Sequence, residues 1–143
     1  MRRTDIIFVG MNPAHQGDPD TPLEGRIGKR FAKLLQITPE QFAADFERVN
    51  LNYLPLSSFD YEEAARRADS IIRNKEIRKV VVCGQRVCGC FWLPFLPLHT
   101  KIRGGRKAYF ILPHPSGLNR WWNDPENVVR AGESLRTFVY GKP

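Results

Sequence analysis

Apolar residues along this chain fall into short unbroken runs and longer stretches with helical spacing. Four short runs read as strands. They are Ile6-Ile7-Phe8-Val9 ending at Gly10, Arg48-Val49-Asn50-Leu51, Val80-Val81-Val82-Cys83 ending at Gly84, and Ala108-Tyr109-Phe110-Ile111-Leu112 ending at Pro113. Runs apolar on both faces suit a buried parallel sheet. Helical patterns lie between them. Ile27, Phe31, Leu34 and Leu35 share one helix face. Thr38-Pro39-Glu40-Gln41 is a capping box with proline at the first helical position. Asp60-Tyr61-Glu62-Glu63 opens a third helix, with Tyr61, Ala64, Ala65, Ala68, Ile71 and Ile72 expected on its inner face. The residues after Gly84 predict a short fourth helix. Asp124-Pro125 starts the last one, with Val128, Val129, Leu135, Phe138 and Val139 as its apolar stripe. Lys101-Ile102-Arg103-Gly104-Gly105-Arg106-Lys107 reads as a basic turn leading into the last strand.

Strand and helix thus alternate four times. The alternation predicts a three-layer α/β/α sandwich around a central four-stranded, mostly parallel sheet, because parallel neighbours need crossover helices. The 143 residues suffice for a single domain, residues 1–143, with one core. No repeat, low-complexity segment or linker interrupts it. In such a sheet the C-terminal ends of the strands share one edge, and ligands bind there. Loops beginning at Gly10, at Asn50 or Asn52, at Gly84 and at Pro113 are expected to converge on that edge.

Composition narrows the class. A hydrophobic share of 42% and a charged share of 26% exclude a disordered or fibrous chain. The net charge of +7 and the pI of about 9.7 favour polyanionic partners, nucleic acid first and an anionic membrane surface second. The chain has no basic amphipathic helix with bulky apolar residues, so no membrane partner is expected. No stretch is long and apolar enough to cross a bilayer. Met1-Arg2-Arg3-Thr4-Asp5 runs straight into the first strand, which predicts no signal peptide. Cys83, Cys88 and Cys90 are odd in number and crowded. They make a poor disulfide framework and fit a reducing cytoplasm. Their spacing matches neither a zinc nor an iron–sulfur site, so they read as buried thiols, with no metal.

Two loops carry the chemistry-bearing residues. The first is Gly10-Met11-Asn12-Pro13-Ala14. The last is Pro113-His114-Pro115-Ser116-Gly117-Leu118-Asn119-Arg120. Together they place an asparagine and a histidine at the C-terminal ends of different strands. The pair resembles the two signature motifs of the uracil-DNA glycosylase superfamily. The first is similar to the Gly-x-Asn-Pro-Gly motif of the mismatch-specific uracil/thymine branch and the single-strand-selective branch, with Ala14 in place of the last glycine. The second is similar to a hybrid. His-Pro-Ser is the opening found in uracil-DNA glycosylases proper, and Ser-Gly-Leu-x-Arg is the continuation found in the mismatch-specific branch.

The resemblance implies a monomeric, monofunctional DNA glycosylase without metal or cofactor. It would flip uracil or a related altered pyrimidine out of single- or double-stranded DNA and hydrolyse the N-glycosidic bond, the base-excision step of DNA repair. Asn12 would position the attacking water. An amide cannot ionise, so it orients water without acting as a base, and the departing base must be a stabilised anion. His114 would donate a hydrogen bond to a pyrimidine carbonyl, where charge develops in the transition state. Gly10, Met11 and Pro13 would line the base pocket with Asn12. Asn50 or Asn52, at the end of the second strand, would read the polar edge of the base. Asn50 fits slightly better. Leu23 stands where relatives carry a stacking aromatic. Ser116 and the neighbouring backbone N–H groups, that of Gly117 included, would grip phosphates. Leu118 would wedge into the stack. Arg120 and Lys29 would face the DNA.

Each residue also has a plain reading. Asn12 would be a turn or cap residue, His114 a packed histidine, Leu118 a core leucine, and Lys29 and Arg120 solvated charges. Trp121-Trp122 is expected to pack on the body of the domain, with Asp124 capping the last helix. Ala14 and the missing aromatic favour a catalytically weak or inactive nucleic-acid-binding module. The compact size and thin set of basic loops would suit an enzyme acting on free or hypermodified nucleotides.

Overall fold

A computed structural model describes residues 2–11, 26–52, 60–104, 106–114 and 120–141, the side chains of residues 26 and 27 excepted. The described elements are β1 (Arg3–Gly10), α1 (Arg26–Leu35), α2 (Pro39–Asp45), β2 (Phe46–Asn50), α3 (Tyr61–Arg73), β3 (Lys79–Cys83), α4 (Gln85–Cys90), β4 (Thr100–Arg103), β5 (Lys107–Leu112), a 3-10 turn (Arg120–Asn123) and α5 (Pro125–Tyr140). The strands form one sheet in the order β2-β1-β3-β5-β4. The first four are parallel neighbours, and β4 pairs antiparallel with β5.

The sheet therefore has five strands where the sequence pattern predicts four. The extra one comes from the first half of the basic segment expected to be a turn. Thr100 to Arg103 fold back on β5 through Gly104, whose φ of 63° suits glycine. An edge strand needs an apolar face only where it is covered, and three of these four residues are exposed.

Alternation along each strand divides the core in two. Ile6, Phe8, Val81, Cys83, Phe110 and Leu112 face α1, α2 and α5. Ile7, Val9, Val80, Val82, Tyr109 and Ile111 face α3 and α4. Helices on both faces make the three-layer α/β/α sandwich. The first face is built around the Phe8 ring, whose centroid lies 5.2 Å from Phe31, 5.0 Å from Phe42 and 5.5 Å from Phe46. Burying each such ring stabilises the fold by about 1.5–3 kcal/mol.

Local signals fix the helix starts. Thr38 accepts from the Gln41 N–H and the Gln41 side chain accepts from the Thr38 N–H, completing the capping box of α2. Asp60 accepts from the Glu62 and Glu63 N–H groups and caps α3; Asp124 caps α5 through Glu126 N–H. Two helix stripes are narrower than their apolar pattern. On α3 only Ala64, Ala68 and Ile71 are buried, while Tyr61, Ala65 and Ile72 are exposed. On α5 Leu135 and Val139 are buried, Val128 and Phe138 are partly covered, and Val129 is exposed. The inner side of each helix meets the sheet, and nothing among the described residues covers the flank. The Ile27 side chain lies outside the described set. No helix among the described residues is long and apolar enough to cross a membrane.

Candidate active site at the strand-end edge

The parallel strands bring their C-terminal ends to one edge, as the alternation requires. Gly10 at the end of β1 is the register partner of Asn50 at the end of β2. Backbone pairing runs on past both strands: Leu51 N–H donates to Gly10 O at 3.1 Å and Asn52 N–H to Met11 O at 3.0 Å. The roots of the first and second loops are thereby locked side by side. Gly10, Met11, Asn50 and Asn52 are brought together. Asn12, Pro13, Leu23, Ser116, Gly117 and Leu118 lie outside the described residues.

The two asparagines of the second strand end have different surroundings. Asn52 is fully buried, and its carboxamide is committed. Its Nδ2 donates to Asp60 O at 2.9 Å and to Leu51 O at 3.3 Å, and its Oδ1 accepts from Asp60 N–H at 2.7 Å. Because Asp60 caps α3, Asn52 staples the helix start to the sheet. Asn50 is also buried, at 4% exposure, yet its carboxamide bonds to no described residue. Its backbone carbonyl accepts from Arg67 Nη1 at 3.0 Å. A buried amide without partners costs about 1–3 kcal/mol.

Across the edge, β5 leads into Pro113 and His114. Strand β3 separates β1 from β5, so the two motif strands leave the sheet about 10 Å apart. The residue that follows β3 between them is Gly84. It has φ 93°, donates its N–H to Leu112 O at 2.8 Å, and lies against His114. A Cβ on Gly84 would sit 3.3 Å from the His114 Cβ. The middle of the edge is thus floored by a residue with no side chain.

His114 is half-buried, and desolvation lowers its pKa below the ordinary 6.5. The imidazole is therefore neutral at pH 7 and carries one N–H and one unprotonated nitrogen. Its carbonyl accepts from Trp122 Nε1 at 2.9 Å. Trp122 is buried, packs edge-on against Trp121 at 4.7 Å, and lies beneath the Arg30 guanidinium at 4.8 Å. Burial lowers the pKa of Arg30. Packing of the tryptophan pair on the domain body agrees with the sequence expectation. What the sequence did not signal is the hydrogen bond by which Trp122 holds His114. Lys29 and Arg120 are both exposed, on α1 and on the 3-10 turn that carries Trp122.

Gly84 and Trp122 are the members of this edge to which the motif reading gave no part in the chemistry. Gly84 was visible as a glycine ending a strand between the two motif strands. The packing of Trp122 was legible, but its bond to the His114 carbonyl and the Arg30 guanidinium over its ring arise only through the fold.

Cys83 and Cys88 are buried and Cys90 is half-buried. Burial pushes the Cys83 thiol far up and raises Cys88 to about 12, so neither is a thiolate at neutral pH. No described group of three or more His, Cys, Asp or Glu residues is arranged to hold a metal ion. In comparison with known proteins, no family model and no curated protein matches this chain.

Proposed function

We propose that this edge removes an altered pyrimidine, uracil first, from DNA by hydrolysing its N-glycosidic bond. The observation that carries the reading is the Asn50 carboxamide, buried beside Gly10 with no hydrogen-bond partner among the described residues. Such a group is costly unless a ligand completes it. A carboxamide presents a donor and an acceptor side by side. The lactam edge of uracil offers the complementary N–H and carbonyl.

The rest of the edge supports the same chemistry. Neutral His114 donates an N–H to a pyrimidine carbonyl as charge builds on the leaving base. Asn12 orients water toward the anomeric carbon. The water oxygen bonds to that carbon, the electrons of the C–N bond leave with the base, the attacking water gives up one proton to solvent, and the base anion takes one up on release. Gly84, having no side chain, lets His114 pack closely against the end of β3. The motif resemblance to the uracil-DNA glycosylase superfamily points to the same roles. In this reading one copy of the chain binds DNA, with Ser116, Gly117, Arg120 and Lys29 on the backbone and Leu118 in the gap left by the flipped nucleotide.

The test uses single- and double-stranded oligonucleotides that contain uracil, its oxidised relatives or a G·T mismatch, followed by alkali. Strand breaks that vanish in Asn12→Ala and His114→Ala variants are expected. Tight binding without breaks would instead assign the fold to a binding module, and turnover of nucleotides alone to a small-substrate enzyme.

A further inference from the structure

The opposite edge of the sheet, where the strands begin, holds a second concentration of unusual residues. A pocket of about 310 Å³ is lined by Lys75, Arg78, Arg103, Arg106 and Lys107, and no acidic residue among those described lines it. Helix geometry explains one of these cations. Lys107 Nζ donates to Ile71 O at 2.6 Å and Asn74 O at 2.8 Å, capping the C-terminal end of α3. Arg103 Nη2 donates to Trp92 O at 2.7 Å. Lys75, Arg78 and Arg106 form no ion pair with any described residue, although the acidic Glu76 and Asp5 are near in the chain or the sheet. Like charges gathered this closely repel one another, and a bound anion relieves the repulsion.

Beside this pocket, sharing Ile72 with it, runs a groove of about 730 Å³ between α3 and α4. Trp92 lines it at 80% exposure and Tyr61 at 60%. The acidic residue in its described lining, Asp69, is paired with Arg73 at 2.8 Å. Trp92 is doubly unusual. It occupies the left-handed position (φ 59°) of a Schellman ending to α4, with Trp92 N–H on Gly89 O at 3.1 Å and Leu93 N–H on Cys88 O at 2.9 Å. Glycine is the residue that position favours. An indole stands there instead, nearly all of it in water, which folding alone does not require.

We propose that a single-stranded nucleic acid binds along the α3–α4 flank, with a phosphate in the basic pocket and a base stacked on Trp92. The occupant follows from the pairing of features. A cation pocket alone takes any phosphate, but a pocket continuous with an exposed aromatic platform suits a chain that alternates phosphates with flat rings. The groove follows α3, about 20 Å long, which is room for a short oligonucleotide. The groove starts at the basic pocket and runs along α3 toward the strand-end edge, where Tyr61 and Gln85 follow Asp60 and Gly84, and the proposal stands whether or not that edge excises bases.

The experiment titrates the full chain with a fluorescein-labelled ten-residue oligothymidylate, which carries no uracil, and follows anisotropy and tryptophan emission. Binding with quenching is expected. Trp92→Ala should weaken it at least about fivefold. Arg78→Gln with Arg106→Gln should weaken it as much and flatten the log–log salt slope by roughly 0.7 for each phosphate that is no longer neutralised. Lys33→Gln with Arg130→Gln makes the same charge change on exposed residues of the other flank, and should leave affinity near wild type. Equal loss in that control would reduce the binding to bulk charge and overturn the proposal. So would unchanged affinity in the Trp92 and pocket variants. Tripolyphosphate binding as tightly as the oligonucleotide would overturn it in favour of a small phosphate ligand. Loss of uracil excision with oligothymidylate binding intact would refute only the excision reading.

Discussion

The two edges of this sheet handle charge in opposite ways. At the strand-start edge, α3 and α5 end, and their exposed carbonyls carry partial negative charge. Lysines meet both: Lys107 donates to Ile71 O and Asn74 O, and Lys79 donates to Phe138 O at 2.7 Å. Further cations gather around Lys107 in contact with water. At the strand-end edge the groups read as facing the base are neutral, and the Arg67 cation beside Asn50 is paired with Glu63. Asn50 and Asn52 are buried amides, and desolvation holds His114 uncharged. Taking a charge out of water is costly, whereas an amide needs only its hydrogen bonds. Chemistry that depends on desolvated donors is therefore compatible with one edge, and attraction of polyanions with the other.

That contrast can be broken most forcefully at Gly84. Gly84→Ala forces a side chain into φ 93° and against His114, and should cost about 3 kcal/mol, read as a shift in the urea midpoint. Asn52→Ala comes next. It strands the Asp60 N–H, while the Asp60 carbonyl keeps its bond from Ala64 N–H, and should cost about 2 kcal/mol, with the rate per folded molecule largely kept. Trp122→Phe removes the hydrogen bond to the His114 carbonyl and should cost about 1 kcal/mol, while loosening the loop that the proposed catalysis needs. The smallest effect is with pH. The His114 pKa is lower in the folded chain than in the unfolded one. Below about 6.5 the unfolded chain binds a proton that the folded chain resists. His114 should leave stability flat above that pH and make it fall as pH drops further. Urea melts at several pH values on wild type and His114→Gln isolate this contribution, since the variant lacks it.

Much of this fold was legible because its signals are local. The capping box at Thr38 and Gln41, the Asp60 and Asp124 caps and the apolar runs of β1, β3 and β5 all sit within a few residues. Strand β4 was missed because only Ile102 in it is strongly apolar, and an edge strand can be polar without penalty. The α3 stripe was drawn too wide because periodicity shows which residues share a helix face but not how much of that face the sheet covers. Tyr61 and Ile72, left outside, line the groove proposed for nucleic acid. At the site, the sequence brought two asparagines to the strand-end edge and favoured Asn50 only slightly. It could not separate them further, because the difference lies in a partner eight residues away, Asp60, that only the fold brings to Asn52.

The most direct test removes the polar atoms of Asn50 while keeping its bulk. For Asn50→Leu, urea unfolding and uracil release from a single-stranded oligonucleotide are measured side by side. The account predicts stability equal to or above wild type, since no protein hydrogen bond among the described residues is broken, with release slowed about 100-fold or more. A variant destabilised by about 2 kcal/mol that releases uracil at the wild-type rate would show the amide to be structural and contradict the account.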